Sequence, residues 1–299
     1  MKVASVLTAA IAMLGLVSAE EMPSPWSSGR EGPDWLYSSF FVPARKLGDV
    51  SRAAAAPAAV NAAATNTTKL ASVPTITSCT KPGLMALTFD DGPYQYTAQV
   101  LDELRILGVP GTFFVNGQNY ASIWDYGDVV RRMLNEGHQI GSHTWDHTDC
   151  LNMADAKFQS EITQLENALQ SIAGIRPAYF RFPYGDYNAH LLTLLADYGY
   201  RASVLWSIDT LDYNHAQPTA ANIANSMQNV HNALDRASAV SSSWIVLEHD
   251  VQPVTGNVQA EANLPGGSYL QQVVTLGKQK GYRFVTVAEC NGDPNGAYR

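Results

Sequence analysis

The sequence predicts an α/β fold, a distorted (β/α) barrel of about seven parallel strands, on the strength of two observations. From Cys79 onward, short apolar or β-branched runs alternate regularly with helix-like segments. Several of those apolar runs also break into polar residues at their C-terminal ends. Because the C-terminal ends of parallel strands share one face, these polar residues are expected to meet there.

The periodic part of the chain divides into strand and helix candidates. The predicted strands cover residues 84–89, 111–116, 138–143, 178–182, 201–208, 244–249 and 283–289. The predicted helices cover residues 97–108, 126–137, 154–174, 188–199, 218–234 and 268–281. Several helices close with Gly, which is the usual C-terminal stop signal. Strand–helix alternation of this kind favours a barrel over an open sheet.

The N-terminal part of the chain differs from the rest. Residues 1–19 have a basic start, a short apolar core and small residues near Ala19, and this pattern predicts a secretory signal peptide. Residues 20–75 lack apolar periodicity and are predicted to be a flexible leader or pro-segment that carries a glycosylation sequon at Asn66. The catalytic domain is expected over residues 76–299. The chain is predicted to be secreted to the extracellular space or the cell wall without a membrane anchor. It is also predicted to be a monomer.

The charge of the chain excludes some classes of partner. The 19 basic and 27 acidic residues give a net charge of −8, and removing Lys2 with the signal peptide changes this to 18 − 27 = −9. An acidic protein without basic clusters is a poor candidate for binding nucleic acid or an anionic membrane. A neutral or cationic substrate is therefore favoured over a polyanionic one.

Three cysteines leave the disulfide pattern open. Cys79, Cys150 and Cys290 allow three different pairs, and spacing alone does not choose among them. Cys79 and Cys290 flank the periodic part of the chain, so a bridge between them would tie the ends of the domain together. We expect that pair to form, with Cys150 as a free thiol.

The polar residues at the predicted strand ends are of chemically reactive types. They are Asp90, Asp91, His143, His147, Arg181, Asp209, Asp212, His249 and Asp250. Two histidines and one carboxylate, with positions left open for water, form a catalytic divalent-metal site. A second carboxylate can act as general base, and a distant histidine can protonate a leaving group. The combination predicts a metal-assisted hydrolase that cleaves an acyl bond.

Five ordered motifs in these segments resemble a known family. They are TFDDGP (88–93), SHTWDH (142–147), RFPYG (181–185), DTLDY (209–213) and IVLEHD (245–250). They resemble the motifs of the polysaccharide deacetylases of carbohydrate esterase family 4, the NodB-homology domain, and most of all its secreted fungal chitin deacetylases. The family's distorted (β/α) barrel agrees with the fold predicted from the strand–helix alternation.

The resemblance implies a role for each matched residue. It implies that Asp91, His143 and His147 bind a divalent metal ion, usually zinc and sometimes cobalt. It makes Asp90 the general base. The remaining implied roles are Arg181 as the partner of Asp90, His249 as the general acid with Asp209 as its partner, the backbone N–H of Tyr184 as an oxyanion donor, and Leu247 as part of the acetyl pocket.

One residue departs from the family pattern. The fourth motif usually ends in Trp, whereas this chain has Tyr213, which keeps an aromatic wall but adds a hydroxyl that needs a hydrogen-bond partner. The resemblance implies removal of N-acetyl groups from chitin or its oligomers. Two alternatives stay open: acetyl-xylan or peptidoglycan as the substrate, and a catalytically inactive carbohydrate-binding relative. The intact Asp90, His143, His147 and His249 argue against the inactive relative.

Overall fold

In the computed structural model, which describes residues 71–299, a sheet of parallel strands curls into an incomplete barrel surrounded by helices. The predicted signal peptide, nearly all of the predicted leader and Asn66 lie outside the described residues. Within the described range, no helix has the length and apolar character that crossing a membrane requires.

The strands confirm the predicted parallel architecture. They are β1 (Thr75–Ile76), β2 (Leu84–Asp90), β3 (Thr112–Val115), β4 (Gln139–Ser142), β5 (Tyr179–Phe180), β6 (Ala202–Val204), β7 (Ile208–Asp209), β8 (Trp244–His249) and β9 (Arg283–Phe284). Their order in the sheet is β1-β6-β5-β4-β3-β2-β8-β7, with β9 paired to the start of β2. Since β1 and β7 are the two ends of this order, the barrel is distorted rather than closed by a regular ladder.

Helices connect most of the strands. They are α1 (Thr97–Leu107), α2 (Gly127–Asn135), α3 (Asp155–Ala173), α4 (Ala189–Asp197), α5 (Ala220–Leu234), α6 (Pro253–Gly256), α7 (Val258–Glu261), α8 (Tyr269–Gln279) and α9 (Val287–Cys290). The six predicted helices correspond to α1–α5 and α8. Five of these are followed within two residues by a left-handed glycine, as predicted: Gly108, Gly137, Gly174, Gly199 and Gly281.

The central strand β2 is buried along its whole length. Met85 and Leu87 contribute to the core between sheet and helices, while Leu84 and Ala86 contribute to a second core. Because both faces of the strand are covered, its sequence runs apolar without alternation from Leu84 to Leu87. Only the C-terminal end of the strand, at Asp90, carries an ionisable group.

The predicted strand at 201–208 is in fact two strands. The chain pairs with β5 and β1 as β6, leaves the sheet, and pairs with β8 as β7. Between them, the Leu205 N–H donates to the carbonyl of Ile76 in β1, and the Ser207 N–H donates to that of Ile245 in β8. The segment therefore passes from one end of the sheet to the other and spans the gap in the barrel.

The ends of the domain also differ from the predicted boundaries. Only Arg283–Phe284 of the predicted strand at 283–289 is extended, because the Thr286 side chain accepts a hydrogen bond from the Glu289 N–H and starts α9. At the other end, β1 begins at Thr75, one residue before the predicted domain start, and Val73 is already buried.

The predicted disulfide joins Cys79 to Cys290, and Cys150 is a buried free thiol. The bridge closes a loop with a sequence separation of 211 residues. It links the segment between β1 and β2 to the last helix and thus holds the two ends of the domain together.

We expect reduction of this bridge to destabilise the domain strongly. The chain-entropy model gives about 5 kcal/mol for a loop of this length, as an upper figure. Urea unfolding with and without reductant measures the effect as a lower midpoint. A Cys150→Ala variant should keep the sensitivity to reductant, whereas Cys79→Ala should remove it. An equal urea midpoint in both conditions, with reduction verified, would contradict the prediction.

Candidate active site

A cleft of about 700 Å³ opens at the C-terminal ends of the strands. Its lining residues are Asp90, Asp91, Asn119, Tyr120, His143, His147, Phe182, Tyr184, Gly185, Trp206, Asp209, Tyr213, Leu247, His249 and Gln252. Nine of the ten site residues predicted from the sequence are among them, and the tenth, Arg181, lies directly behind Asp90. The predicted convergence of strand ends is therefore present.

Three of these residues aim ligand atoms at one point. The ligand atoms of Asp91, His143 and His147 all lie within 4.8 Å of one another. Asp91 Oδ1 is 3.2 Å from His147 Nε2 and 3.6 Å from His143 Nε2. Ligand atoms around a tetrahedral zinc ion are about 3.3 Å apart when the bonds are about 2.0–2.1 Å long. The spacing of these atoms therefore fits a small divalent cation.

The hydrogen-bonding state of the three residues also fits a cation. His143 Nδ1 lies 2.8 Å from the carbonyl oxygen of Arg181. Because a carbonyl can only accept, Nδ1 carries the proton and the lone pair of Nε2 is left for a metal. Asp91 Oδ1 is buried and has no hydrogen-bond partner in the described structure. A buried carboxylate oxygen without a donor is what a cation would satisfy.

Burial controls the charge state of these residues. It lowers the pKa of His143 to about 3, and it lowers the pKa of His147 to about 3, where the nearby His143 ring adds to the effect by disfavouring a second proton in the pair. It raises the pKa of Asp91 to about 7. The two imidazoles are therefore neutral, as metal ligands must be, and a bound cation would favour the ionised form of Asp91.

The predicted pair of Asp90 and Arg181 is present and buried. Arg181 Nη1 donates to Asp90 Oδ1 and to Thr88 Oγ1, both at 2.8 Å. Its Nε and Nη2 donate to the carbonyls of Val204 and Leu205 at 3.1 Å. These carbonyls lie where the chain leaves the sheet after β6. Arg181 is thus held in one position, and it presents a fixed positive charge to Asp90.

This pairing leaves Asp90 with one oxygen on the cleft side. Oδ1 is bound by Arg181, whereas Oδ2 lies 3.8 Å from His143 Nε2, next to the metal-ligand atoms. Burial raises the pKa of Asp90, and the charge of Arg181 opposes that rise. Asp90 is therefore a carboxylate held beside the three ligands without itself being required as one.

The partner of His249 is Asp212, and the assignment of Asp209 to that role is wrong. His249 Nδ1 lies 2.8 Å from Asp212 Oδ1, and the His249 N–H donates to Asp212 Oδ2 at 2.8 Å. Thr255 Oγ1 donates to the same Oδ2 at 2.6 Å. Asp212 is fully buried. Burial alone would lower the pKa of His249, but the charge and hydrogen bond of Asp212 outweigh it and raise that pKa to about 10.

Asp209 instead shapes the turn that carries Asp212. Its Oδ1 accepts a hydrogen bond from the Leu211 N–H at 2.9 Å, and Leu211 has a left-handed backbone with φ 56°. Its Oδ2 lies 3.4 Å from the hydroxyl of Tyr213, which supplies the partner that this hydroxyl needs. The Tyr213 ring lies 5.3 Å from the His249 ring in an edge-to-face arrangement. Tyr213 therefore forms the aromatic wall that the sequence predicts at this position.

The other two predicted contact residues, Leu247 and Tyr184, both line the cleft but differ in burial. Leu247 is an almost fully buried cleft residue in β8, two positions before His249. Tyr184 is 66% exposed, and its ring lies 4.8 Å from the ring of His147. Tyr184 thus forms a rim beside the predicted metal ligand His147, while Leu247 is an apolar lining residue.

Backbone strain is concentrated around the cleft. Five non-glycine residues in the described range have positive φ, and all lie in the loops that follow the strands: Asp91, Thr144, His147, Tyr184 and Leu211. Such conformations cost free energy and persist where the surrounding structure over-determines them. Two of the five are the predicted metal ligands Asp91 and His147.

The sequence motifs did not identify several cleft residues. Trp206 lies in the segment that spans the barrel gap, and Tyr120, Asn119 and Gln252 lie in loops after β3 and β8. Gln252 Nε2 donates to the Tyr120 hydroxyl at 3.1 Å and so links two of these loops. Their position on strand-following loops was the available signal, but it did not distinguish them from ordinary loop residues.

Known proteins resemble this chain in sequence and in fold. The family model described as Polysaccharide deacetylase matches residues 77–203. A chitin deacetylase from Pestalotiopsis sp is 45% identical over 218 residues, which cover 73% of this chain and 67% of that protein. A probable peptidoglycan-N-acetylglucosamine deacetylase from Arthroderma benhamiae is 40% identical over 220 residues, which cover 73% of this chain but 46% of that protein. The solved structure of a chitin deacetylase from Colletotrichum lindemuthianum matches with a TM-score of 0.69 at 38% identity, covering 77% of this chain and 97% of that one.

Proposed function

This chain belongs to the polysaccharide deacetylase family, and we propose that it is a secreted, metal-dependent hydrolase that removes N-acetyl groups from the N-acetylglucosamine residues of chitin or its oligomers. The proposal rests on one observation: three groups of residues meet at a single cleft. They are the proposed metal ligands Asp91, His143 and His147, the Asp90–Arg181 pair and the His249–Asp212 pair. The proposal of secretion rests on the predicted signal peptide at residues 1–19. N-terminal sequencing of the exported protein tests it, and we expect the mature chain to begin at Glu20.

We assign the metal site to Asp91, His143 and His147, with zinc as the cation and cobalt as the alternative. Two neutral imidazoles and one carboxylate suit either ion. A divalent cation bound there supplies Lewis acidity, which polarises an acetyl carbonyl and lowers the pKa of water. The chain's own contribution is a pre-shaped set of ligand atoms that needs little rearrangement to receive the ion.

Asp90 is proposed as the general base. Its Oδ2 faces the cleft beside the ligand atoms, while Arg181 holds Oδ1 and fixes the direction of the carboxylate. A water placed between Oδ2 and an acetyl carbonyl carbon can give up its proton to Oδ2 as it attacks. The carbonyl oxygen then gains negative charge, and the N–H of Tyr184 is the proposed protein donor to that oxygen.

His249 is proposed as the general acid. Its Nδ1–H donates to Asp212, so Nε2 is the nitrogen left to face the cleft. The raised pKa keeps the ring protonated, and Nε2–H can pass a proton to the nitrogen of the departing amine. Leu247 and Tyr213 supply the apolar and aromatic surfaces against which the acetyl methyl group would pack.

Chitin is the proposed substrate for two reasons. Two of the similar proteins described above are chitin deacetylases. In addition, the cleft is lined by Tyr120, Tyr184, Trp206 and Tyr213, and aromatic rings of this kind suit the apolar faces of neutral sugars. The net charge of −9 after removal of the signal peptide disfavours the carboxylates of peptidoglycan weakly, within a Debye length of about 8 Å in physiological salt.

A product assay tests the substrate assignment. We expect zinc-loaded enzyme to release acetate from chitin oligomers and glycol chitin, with one free amine appearing for each acetate. Removal of an O-acetyl group from xylan gives acetate without an amine, so the ratio of amine to acetate separates N- from O-deacetylation. An Asp90→Asn variant is the control for contaminating activity. Acetate from acetyl-xylan or peptidoglycan, with none from chitin oligomers, would contradict the substrate, and no acetate from any of them would favour an inactive binder.

A further inference from the structure

The loop between the two histidine ligands is held by two buried side chains that lie outside the five motifs. His143 and His147 are separated by the stretch Thr144–Asp146, whose peptide groups could turn in several ways. Each of the peptide groups from the His143 carbonyl to the Asp146 N–H has a hydrogen-bond partner in the surrounding structure. We call this stretch, with the two histidines, the ligand loop (143–147).

Glu161 binds one side of the ligand loop. It lies in the middle of α3, and its side chain is fully buried. Its Oε2 accepts hydrogen bonds from the N–H groups of Trp145 and Asp146, both at 2.9 Å, and its Oε1 pairs with Lys157 Nζ. Burying a carboxylate is costly unless donors compensate for the lost water, so these three donors account for its position.

Asn116 binds the other side of the ligand loop. It follows β3 and is also buried. Its Nδ2 donates to the carbonyl of His143 and, at 3.1 Å, to the carbonyl of Thr144. Its Oδ1 accepts from Asn119 Nδ2 at 3.2 Å, which fixes the orientation of the amide. One side chain therefore supplies donors and the other supplies acceptors to consecutive peptide groups.

The conformation that Glu161 and Asn116 stabilise is one that the ligand loop would otherwise avoid. Thr144 and His147 have φ values of 72° and 60°, in the left-handed region, where a β-branched residue such as Thr144 is a clear outlier and a histidine is uncommon. Thr144 Oγ1 accepts from the His147 N–H at 3.1 Å, so the two strained residues are coupled. Without external hydrogen bonds, relaxation of either residue would move the His147 ring away from Asp91.

We propose that Glu161 and Asn116 are positioning residues that pre-organise the ligand loop for the metal ion, an inference that rests on the proposed metal site. They hold His147 Nε2 within reach of Asp91 Oδ1 before any ion binds. Removing a residue that hydrogen-bonds to a metal ligand, without itself contacting the metal, typically weakens metal binding by about 10–100-fold. Here the partners act on the backbone between two ligands instead of on a ligand side chain.

Zinc affinity of the metal-free protein tests the proposal directly. The affinity is measured by competition with a chromophoric chelator, and thermal unfolding of the metal-free form is measured in parallel. We expect Glu161→Ala and Asn116→Ala each to weaken zinc binding by about 10–100-fold. Glu161→Gln should stay within a few-fold of the wild type, because a single amide oxygen can accept both N–H groups as Oε2 does, and the half-exposed Lys157 can turn its ammonium away from the amide NH₂.

A matched control comes from the same helix. Glu166 is also buried in α3, but its carboxylate accepts from Tyr200 and Arg299 and from none of the N–H groups of the ligand loop. Glu166→Ala should lower the unfolding temperature and leave the zinc affinity unchanged. A purely structural role for Glu161 would make the Glu161→Ala and Glu166→Ala variants alike, with lower unfolding temperatures and equal zinc affinities.

The outcomes separate this inference from the metal site on which it rests. Failure of the wild type to bind zinc or cobalt would overturn the metal site itself. Wild-type binding together with undiminished affinity in Glu161→Ala would overturn the positioning role alone. Should Glu161→Ala not fold, Glu161→Asp decides, because its shorter carboxylate cannot reach both N–H groups. We expect at least about a tenfold loss in that variant, and wild-type affinity there would reject the proposal.

Discussion

Amide substitutions at the neighbouring carboxylates Asp90 and Asp91 should cause different defects, one in the reaction rate and the other in metal binding. We expect Asp91→Asn to weaken metal binding by more than about 100-fold. Loss of a residue that contacts only the ligands typically weakens metal affinity by about 10–100-fold, and loss of a direct ligand should cost more. Asp90→Asn should keep the metal affinity and lower kcat by about 10²–10⁴, as loss of a general base does. Metal affinity by chelator competition and kcat at saturating zinc separate the two effects.

Removal of the metal should mimic the Asp91 variant in the unaltered chain. Chelator treatment should abolish acetate release, and added zinc or cobalt should restore it. His143→Ala should lose both metal and turnover, since its Nε2 is one of the three converging ligand atoms. A chelated enzyme of full activity would reject the metal-dependent mechanism. Equal metal affinities and equal rates for the Asp90 and Asp91 variants would instead reject the separate roles of the two carboxylates.

The convergence of the site was predictable because it depends on a property of the fold class. Once strand–helix alternation indicates a parallel sheet, polar residues at strand ends must share one face. That reasoning brings Asp90, His143 and His249 together although they are far apart in the chain. It needs only the strand boundaries, and the observed β2, β4 and β8 lie within a residue or two of the predicted ones.

The choice between Asp209 and Asp212 was not predictable from the same argument. Asp209 is the last residue of β7 and Asp212 lies three residues further on, and a strand end does not determine the path of the turn beyond it. The turn is set by Leu211, whose left-handed backbone is stabilised by the side chain of Asp209. This reversal sends Asp212 back toward His249. A local conformation that is rare for leucine therefore decided which carboxylate meets the imidazole.

The split of the strand at 201–208 was hidden for a different reason. Periodicity reports that a segment is apolar and extended, but not which neighbour it pairs with. β6 pairs with β5 and β7 pairs with β8, at opposite ends of the sheet order. The three residues between them complete the barrel and place Trp206 in the cleft. Such non-local pairing is a property of the whole sheet, so no local pattern indicates it.

The pH dependence of the enzyme should identify the partner of His249. As the general acid, His249 must be protonated, so activity falls as the pH rises through its pKa. Asp212 raises that pKa by its charge and its hydrogen bond. In Asp212→Asn the negative charge is lost, and the amide NH₂ would face Nδ1 as a donor, which favours the neutral ring. Both changes lower the pKa, so we expect the alkaline limb of kcat/KM to move about 1–3 pH units toward lower pH.

Asp209→Asn is the matched control, since it changes a carboxylate three positions away in the same turn. Its hydrogen bonds go to the Leu211 N–H and the Tyr213 hydroxyl, and none goes to the imidazole of His249. We expect its alkaline limb to move much less than that of Asp212→Asn. Both variants are measured at saturating zinc, where the charge of the ion lowers the pKa of His249 alike in each and cancels from the comparison. An alkaline limb of kcat/KM that moves with Asp209→Asn but stays in place with Asp212→Asn would show that Asp209, and not Asp212, raises the pKa of His249.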